Sequence, residues 1–422
     1  MARFLVLQLA RLGDLVQTRR LLSGLWAKVS AAGGGEVHLA VDRSLTGLAG
    51  RLYPFARVHG LPAHGGAGLD AGAAAALARQ VCGELAALDC DRVFTLNFSP
   101  LGMAMAAMFP PEAQRGYRQF AGQTDKDQFL RLIFRIARNR RGSGINLADI
   151  WAHLDDDPLP PGAVNPPAAP RGGGIGVALA GRMARRSLPP EILAPIVRTV
   201  FRAAGASRLT LLGTAGQAGE ARALVRRLDP ALAAICDDRT GKTDLLGLCD
   251  AVSGLDRLIT PDTGAMHLAA FYGVPVTAFF LSSAWCHETG PYGAGHEIWQ
   301  ASVGCAPCLE SAPCPQGLVC RPPFADPGFL RALAGSAKAT LPPGLARFAT
   351  DCDDLGAVCR LVGGEDAAGA ERQVFRAFAA RRLIGADGDG ADLARERELA
   401  ERLYLETDWT LPPPGRTTSG EW

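Results

Sequence analysis

The sequence predicts an α/β protein of two domains, and three observations carry that prediction. Short apolar runs alternate with helical stretches from residue 4 to about 110, a Pro- and Gly-rich segment at Asp155–Gly174 breaks the pattern, and the alternation restarts at Ile175. Such alternation implies parallel sheets covered by helices. The 422 residues are enough for two cores and an extension. Two similar halves on a linker imply a cleft between them.

In the first half, Phe4–Ala10, Val37–Val41, Val58–Leu61 and Val93–Phe98 read as strands, with helices over Thr18–Val29 and Ala71–Leu88. The basic stretch Gln114–Leu154 contains KDQFLRLIFRIARNRR, whose apolar residues recur at helical spacing, as expected of a helix docked by one face. Asp155–Gly174 has no periodicity and reads as the linker. Beyond it, Ile175–Leu179, Leu209–Leu212, Ala233–Cys236, Leu258–Thr260 and Val274–Leu281 read as strands. Helices are expected near Pro189–Ala204, Ala218–Leu228, Thr243–Ala251 and Gly264–Tyr272. The domains are therefore placed at 1–154 and 175–325, followed by a partly helical extension over 326–422 that includes Glu371–Ile384 and Asp392–Tyr404 and ends in a polar tail.

Lys+Arg 44 against Asp+Glu 42 leaves a formal charge of +2, so no overall field recruits nucleic acid and any basic site is local. Phe4–Ala10 is too short for a secretory core and is followed by Arg11 and Asp14 rather than a small-residue cleavage site. The longest apolar tracts, Leu96–Phe109 and Thr260–Trp285, carry Pro, Gly, Asp or His and fit strand–turn–helix units better than a bilayer span. A cytoplasmic protein is expected.

Four stretches carry candidate chemistry. In LQLARLGDLVQT the first strand runs into a turn with a single glycine, Gly13, too little free backbone to wrap a pyrophosphate. A nicotinamide-dependent oxidoreductase is disfavoured, and the turn instead presents Asp14 as either a helix cap or a base. In GVALAGRMARRSLPPEIL a strand is followed by Arg182, Arg185 and Arg186 ahead of a helix opened by Pro189 and Pro190. Guanidiniums beside a helix N-terminus suit phosphate oxygens. LITPDTGAMHLAAFYGVPVTAFF reads strand–turn–helix–turn–strand. There Asp262 or Thr263 can cap the helix, Asp262 suits a cap or hydroxyls rather than a diphosphate that its charge would repel, Gly264 admits a close ligand, and His267 lies one turn in. In LLGTAGQAGEARAL, Glu220 follows a glycine-containing turn where a carboxylate can accept from a ribose diol.

Together these residues resemble glycosyltransferase family 9, the ADP-heptose:lipopolysaccharide heptosyltransferases, over roughly residues 3–325. TPDTGAMHLAAFYGVPV resembles the family's donor-site signature, RLGDLVQT its opening motif, and NLADIW its segment ahead of the second domain. The resemblance implies a GT-B fold, two Rossmann-like domains facing one another across a cleft. It places Asp14 at the general base and Arg186 where the family carries a phosphate-binding Lys, and it assigns Asp262, Thr263, Gly264 and His267 to the donor site. Leu188 departs from an aromatic at its position, and the usual Pro of the first helix is missing from QTRRLLSG.

The expected activity is an inverting, metal-independent sugar transfer from a nucleotide sugar, ADP-heptose by resemblance, to a hydroxyl of a saccharide or lipid-linked acceptor of the lipopolysaccharide inner core. Peripheral contact with the inner membrane is compatible with such an acceptor, and no cofactor is required. A nucleotide-sugar epimerase or hydrolase on the same scaffold, or a non-catalytic nucleotide-sugar-binding protein, are the competing readings. Finally, CAPCLESAPCPQGLVC gathers Cys305, Cys308, Cys314 and Cys320 in sequence. They either hold a structural zinc tetrahedrally or stay as thiols or redox-labile pairs.

Overall fold

The computed structural model describes residues 1–385 apart from 65–67, 121–122, 138–139, 180, 182–183 and 310–311. The chain divides into two compact units. One comprises Met1–Gly144, Ala148–Leu159 and the described residues from Ala368 on; the other comprises Ile145–Leu147 and Pro160–Ala367.

In the first unit, β1 (Ala2–Gln8), β2 (Gly35–Asp42), β3 (Arg57–Leu61), β4 (Arg92–Thr95), β5 (Gln114–Phe120) and β6 (Gln123–Lys126) form a sheet in the order β3-β2-β1-β4-β5-β6. All neighbours are parallel except β5 and β6. The central strand β1 buries Leu5, Val6 and Leu7 completely or nearly so, as a strand covered on both faces must. Leu5, Leu7, Ala40, Leu61, Leu85 and Val93 belong to one core.

The basic stretch expected to hold only a docked helix first makes the β5–β6 hairpin and then the helix Gln128–Ala137. QRGYRQF carries too few apolar residues to alternate visibly. Its pairing depends instead on Gly116, whose φ of +90° and approach to β4 leave no room for a side chain. A Cβ there would lie 2.2 Å from the Thr95 carbonyl oxygen.

A buried ion pair holds the end of this unit. Arg20 and Asp149 meet at 2.6 Å with their side chains 1% and 0% exposed, and Arg20 Nε also donates to the Leu159 carbonyl at 2.8 Å. Such a pair is costly to break because either charge left alone is stranded in apolar surroundings. The helix Gly369–Ile384 returns to the same unit, where buried Arg372 donates to the Arg141 carbonyl at 2.5 Å.

The second unit forms its sheet from β7 (Ile175–Ala178), β8 (Leu209–Leu212), β9 (Cys236–Asp238), β10 (Arg257–Pro261), β11 (Val276–Phe280), β12 (Glu297–Ala301), β13 (Leu345–Cys352) and β14 (Ala357–Gly364). The order is β14-β13-β12-β11-β10-β7-β8-β9. From β12 to β9 the strands are parallel, while β13 and β14 add an antiparallel pair. Ile175, Val177, Leu209, Leu211, Ile259 and Phe279 fill its core. Trp299 and Phe329 close that core edge-to-face at 4.9 Å.

Besides Ala233–Cys236, expected as a strand but preceded by the helix Pro230–Ala234 so that β9 starts only at Cys236, two further segments differ from expectation. The stretch 345–364, placed in a partly helical extension, is sheet, because the buried Leu345, Ala346 and Phe348 of β13 pair with β12. From Pro160 on, the Pro- and Gly-rich segment lies along the second unit. Asn165 donates to the Tyr292 carbonyl at 2.8 Å and Ala169 N–H to the Gly273 carbonyl at 2.9 Å. The expected helix over 392–404 and the tail lie outside the described residues. Among the described residues no helix is long and apolar enough to cross a membrane.

One buried histidine ties β12 to the antiparallel pair. His296 N–H donates to Thr350 Oγ1 at 3.0 Å, and the Thr350 N–H returns a bond to the His296 carbonyl at 2.9 Å. Burial, with Arg257 as a second cause, pushes its imidazole down from 6.5 to about 4. The folded protein therefore keeps His296 neutral where the unfolded chain takes up a proton. Stability is expected to be complete above pH ~6.5 and to fall by about 3 kcal/mol as the pH drops to about 4. Urea unfolding between pH 7 and 4 checks this, and His296→Gln should flatten that part of the profile.

Candidate functional site

In both sheets the strand order reverses at the centre, between β1 and β4 in the first unit and between β7 and β10 in the second. At such points the loops leaving the carboxyl ends of adjacent strands run in opposite directions and open a crevice. The predicted site residues other than Glu220 follow these strands in sequence.

In the second unit the loop after β7 is folded back by the Gly181 N–H, which donates to Ser187 Oγ at 2.8 Å. A short 3₁₀ turn, Ala184–Arg186, then leads to the helix Pro190–Ala203, opened by Pro189 and Pro190. Leu188, where the family resemblance expects an aromatic, is buried in the core. Arg186 forms an ion pair with Asp262, the residue following β10; the two side chains are only 14% and 8% exposed.

Asp262 is the hub of this end of the sheet. Its Oδ2 accepts from Arg186 and from Thr289 Oγ1, the latter at 3.0 Å, while His267 Nε2 lies 3.7 Å from Oδ1. The helix Gly264–Phe271 is capped by Thr263, whose Oγ1 accepts from the Met266 N–H at 3.3 Å and is 2.9 Å from Thr260 Oγ1. Of the two residues able to cap this helix, Thr263 does so. Asp262 is committed to side chains, and Gly264 opens the helix beside it. A carboxylate fixed in this way holds a guanidinium and an imidazole at the N-terminal end of a helix, which adds its own partial positive charge.

Arg185 and Arg186 do not share one task. Arg185 donates through Nη1 to the Ala312 carbonyl at 2.5 Å and through Nη2 to the Leu309 carbonyl at 2.6 Å. It thus braces the cysteine-rich loop, whose carbonyls offer fixed acceptors. Arg321 fastens the same region by donating to the Ala184 carbonyl at 2.7 Å. Arg182 lies outside the described residues. Glu220 is exposed in the first turn of the helix Ala218–Val225, after β8.

In the first unit, Asp14 lies in the first turn of the helix Leu12–Gln17 that follows β1, rather than in an open loop. Its Oδ2 accepts from the Arg11 N–H at 3.2 Å, and its carbonyl accepts from Thr18 Oγ1 at 2.9 Å and Gln8 Nε2 at 3.3 Å. Its side chain therefore does part of a cap's work while staying partly exposed. Asn97, two residues after β4, accepts the Leu9 N–H at 2.6 Å and pins the two central strand ends together.

The four clustered cysteines are not drawn into a ligand set. Cys305 is exposed, Cys308 and Cys314 are half-buried and Cys320 is buried, and no three of their sulfurs lie within 4.8 Å of one another. Their chemistry diverges too. Backbone N–H groups of Leu318 and Gln316, helped by Arg185, push the Cys314 thiol down, whereas burial pushes Cys320 up.

Thr289 and Asn97 escaped the sequence reading. Each is a single polar residue whose role depends on what the fold places opposite it, although Thr289 does stand close to the apolar run that ends at Trp285. Thr289→Val should cost about 1.5 kcal/mol of stability by removing one hydrogen bond to a charged carboxylate. Chemical denaturation checks that cost, and wild-type stability in the variant would show that Asp262 does not need this contact.

The comparisons agree with the geometry. Residues 198–317 match the family model described as glycosyltransferase family 9 (heptosyltransferase). No curated protein matches the chain in sequence. Among solved structures, the glycosyl transferase family 9 protein of Veillonella parvula is similar at a TM-score of 0.53 and 16% identity, over 71% of this chain and 86% of that one. E. coli heptosyltransferase WaaC with ADP is similar at a TM-score of 0.52 and 16% identity, over 71% and 93%. At that identity the structural likeness speaks for the fold, and the matched segment, which contains Asp262 to His267 and Thr289, speaks for the chemistry. The chain therefore has a two-domain α/β fold of GT-B type, and the match over residues 198–317 supports a glycosyltransferase family 9 assignment and glycosyltransferase activity.

Proposed function

We propose that the protein transfers a sugar from a nucleoside diphosphate to an acceptor hydroxyl with inversion at the anomeric carbon, and that the donor diphosphate binds at the Arg186–Asp262–His267 cluster. The observation that carries this reading is the near-buried Arg186, held by Asp262 at the strand-order reversal of the second unit. The planar fork of N–H donors of a guanidinium matches phosphate oxygens. The N–H groups at the start of the Gly264 helix add to it. In this reading 175–325 is the donor domain and 1–154 the acceptor domain.

Asp14 is the base in this proposal. The acceptor O–H gives its proton to the Asp14 carboxylate as the oxygen forms its bond to the anomeric carbon. The bond from that carbon to the diphosphate oxygen breaks on the opposite face, and the nucleoside diphosphate leaves with the electron pair. Arg186 and the helix end stabilise the charge that develops on it, a role a divalent metal would otherwise fill. Glu220 is assigned to the ribose, and Arg185 acts only indirectly, by bracing the loop beside the site. A heptose donor carried on ADP is favoured by the family match and by the ADP complex of the E. coli relative. The acceptor is then a hydroxyl of a lipopolysaccharide inner-core type, reached from the cytoplasm at the membrane face.

Asp14→Asn should lower turnover by roughly 10²–10⁴-fold while leaving donor affinity within a few-fold of wild type. Steady-state kinetics with ADP-heptose, paired with calorimetric titration of the donor, separates the two. Unchanged turnover retires Asp14 as the base, and sugar release at equal rates with and without an acceptor identifies a hydrolase instead.

A further inference from the structure

We propose that Cys286, His287 and Cys359 form a zinc site in the second unit, separate from the donor cluster and from the 305–320 cysteines. Their ligand atoms lie within 4.8 Å of one another, and among the described residues they are the group of three or more His, Cys or carboxylate side chains that does so. Two thiols and one imidazole form a soft sulfur–nitrogen set, the choice of tetrahedral zinc rather than of magnesium or calcium.

The spacing fits an ion better than a cross-link. Zinc bonds of about 2.3 Å to sulfur and about 2.0 Å to nitrogen set tetrahedral ligand atoms about 3.5–3.8 Å apart, so side-chain rotations of about 1 Å close the set. A disulfide would pull the two sulfurs to about 2.05 Å and leave the imidazole without a part.

The fold prepares the site. Cys286, 0% exposed, opens the short helix Cys286–Thr289, and its N–H donates to Gln300 Oε1 at 3.1 Å. Gln300 is itself fully buried and anchored through Nε2 to the Phe280 and Ala301 carbonyls at 3.3 and 3.1 Å. The His287 ring stands edge-on to Phe348 at 5.1 Å and is tilted against Trp285 at 5.4 Å, which restricts how it can turn. Cys359 comes from β14, where its thiol donates to the Cys286 carbonyl at 3.5 Å. It is half-buried and gives the ion its side of access.

In apolar surroundings a thiolate is disfavoured unless a cation is present, so binding would release the thiol protons and couple metal to fold. The ion would tie the outermost strand of the sheet to the turn that also carries Thr289, the residue holding Asp262.

The test uses the full chain, under phosphine reductant, with Cys305→Ser, Cys308→Ser and Cys314→Ser introduced to silence the other cysteines. After chelation, this parent is titrated with Co²⁺, whose thiolate charge-transfer absorption reports sulfur ligation, and Co²⁺ is then displaced by Zn²⁺. One equivalent is expected. Adding Cys359→Ser or His287→Gln should each weaken binding roughly tenfold or more while the metal-free variants melt as their parent does. A parent that shows no charge-transfer band, or a band and affinity that neither substitution changes, overturns the proposal.

Discussion

The second unit is organised around one buried carboxylate. Asp262 takes bonds from Arg186 and Thr289 and lies beside His267, so residues from the loops after β7 and β11 and from the Gly264 helix converge on it. A guanidinium with its side chain only 14% exposed needs a countercharge, and a carboxylate in the same surroundings needs donors. Each therefore fixes the other, and the cost of desolvating both is offset only because the set is well bonded. What results is a set of polar groups held in fixed orientation, the property that the electrostatic role proposed for it requires.

The two units repeat one layout with different chemistry. Each reverses its strand order beside a central strand, β1 or β7, and each puts its polar residues at the carboxyl ends of the two strands flanking that reversal. In the first unit these are Asp14 and Asn97; in the second they are Arg186 and Asp262. Asp14 sits in a helix turn and accepts from the Arg11 N–H, a contact that leaves its carboxylate partly exposed and so compatible with the proton abstraction proposed for it. A carboxylate that is held but not enclosed can serve both.

Much of this was legible in the sequence for identifiable reasons. Parallel core strands are continuous apolar runs, and the turn Pro261–Gly264 combines a strand end, a capping threonine and a glycine in fixed order. The pairings were not legible, because they are choices among competing partners. Nothing in MARRS says that Arg185 turns to loop carbonyls near 309–312 while its neighbour Arg186 turns to Asp262. Likewise Leu345, Ala346 and Arg347 of β13 suit a helix equally well, and β12 beside them decides the outcome. Strand β5 is invisible for a related reason: its place depends on Gly116, a residue whose absent side chain matters more than any that is present.

The most direct measurement is calorimetric titration of ADP into the wild type and into Arg186→Gln, Arg186→Lys and Arg185→Gln. The account predicts affinity weakened roughly tenfold or more by Arg186→Gln, largely restored by Arg186→Lys, and little changed by Arg185→Gln. Equal affinity across the folded variants would contradict it, because Arg186 and Asp262 would then be a structural pair and the diphosphate would have to be held elsewhere.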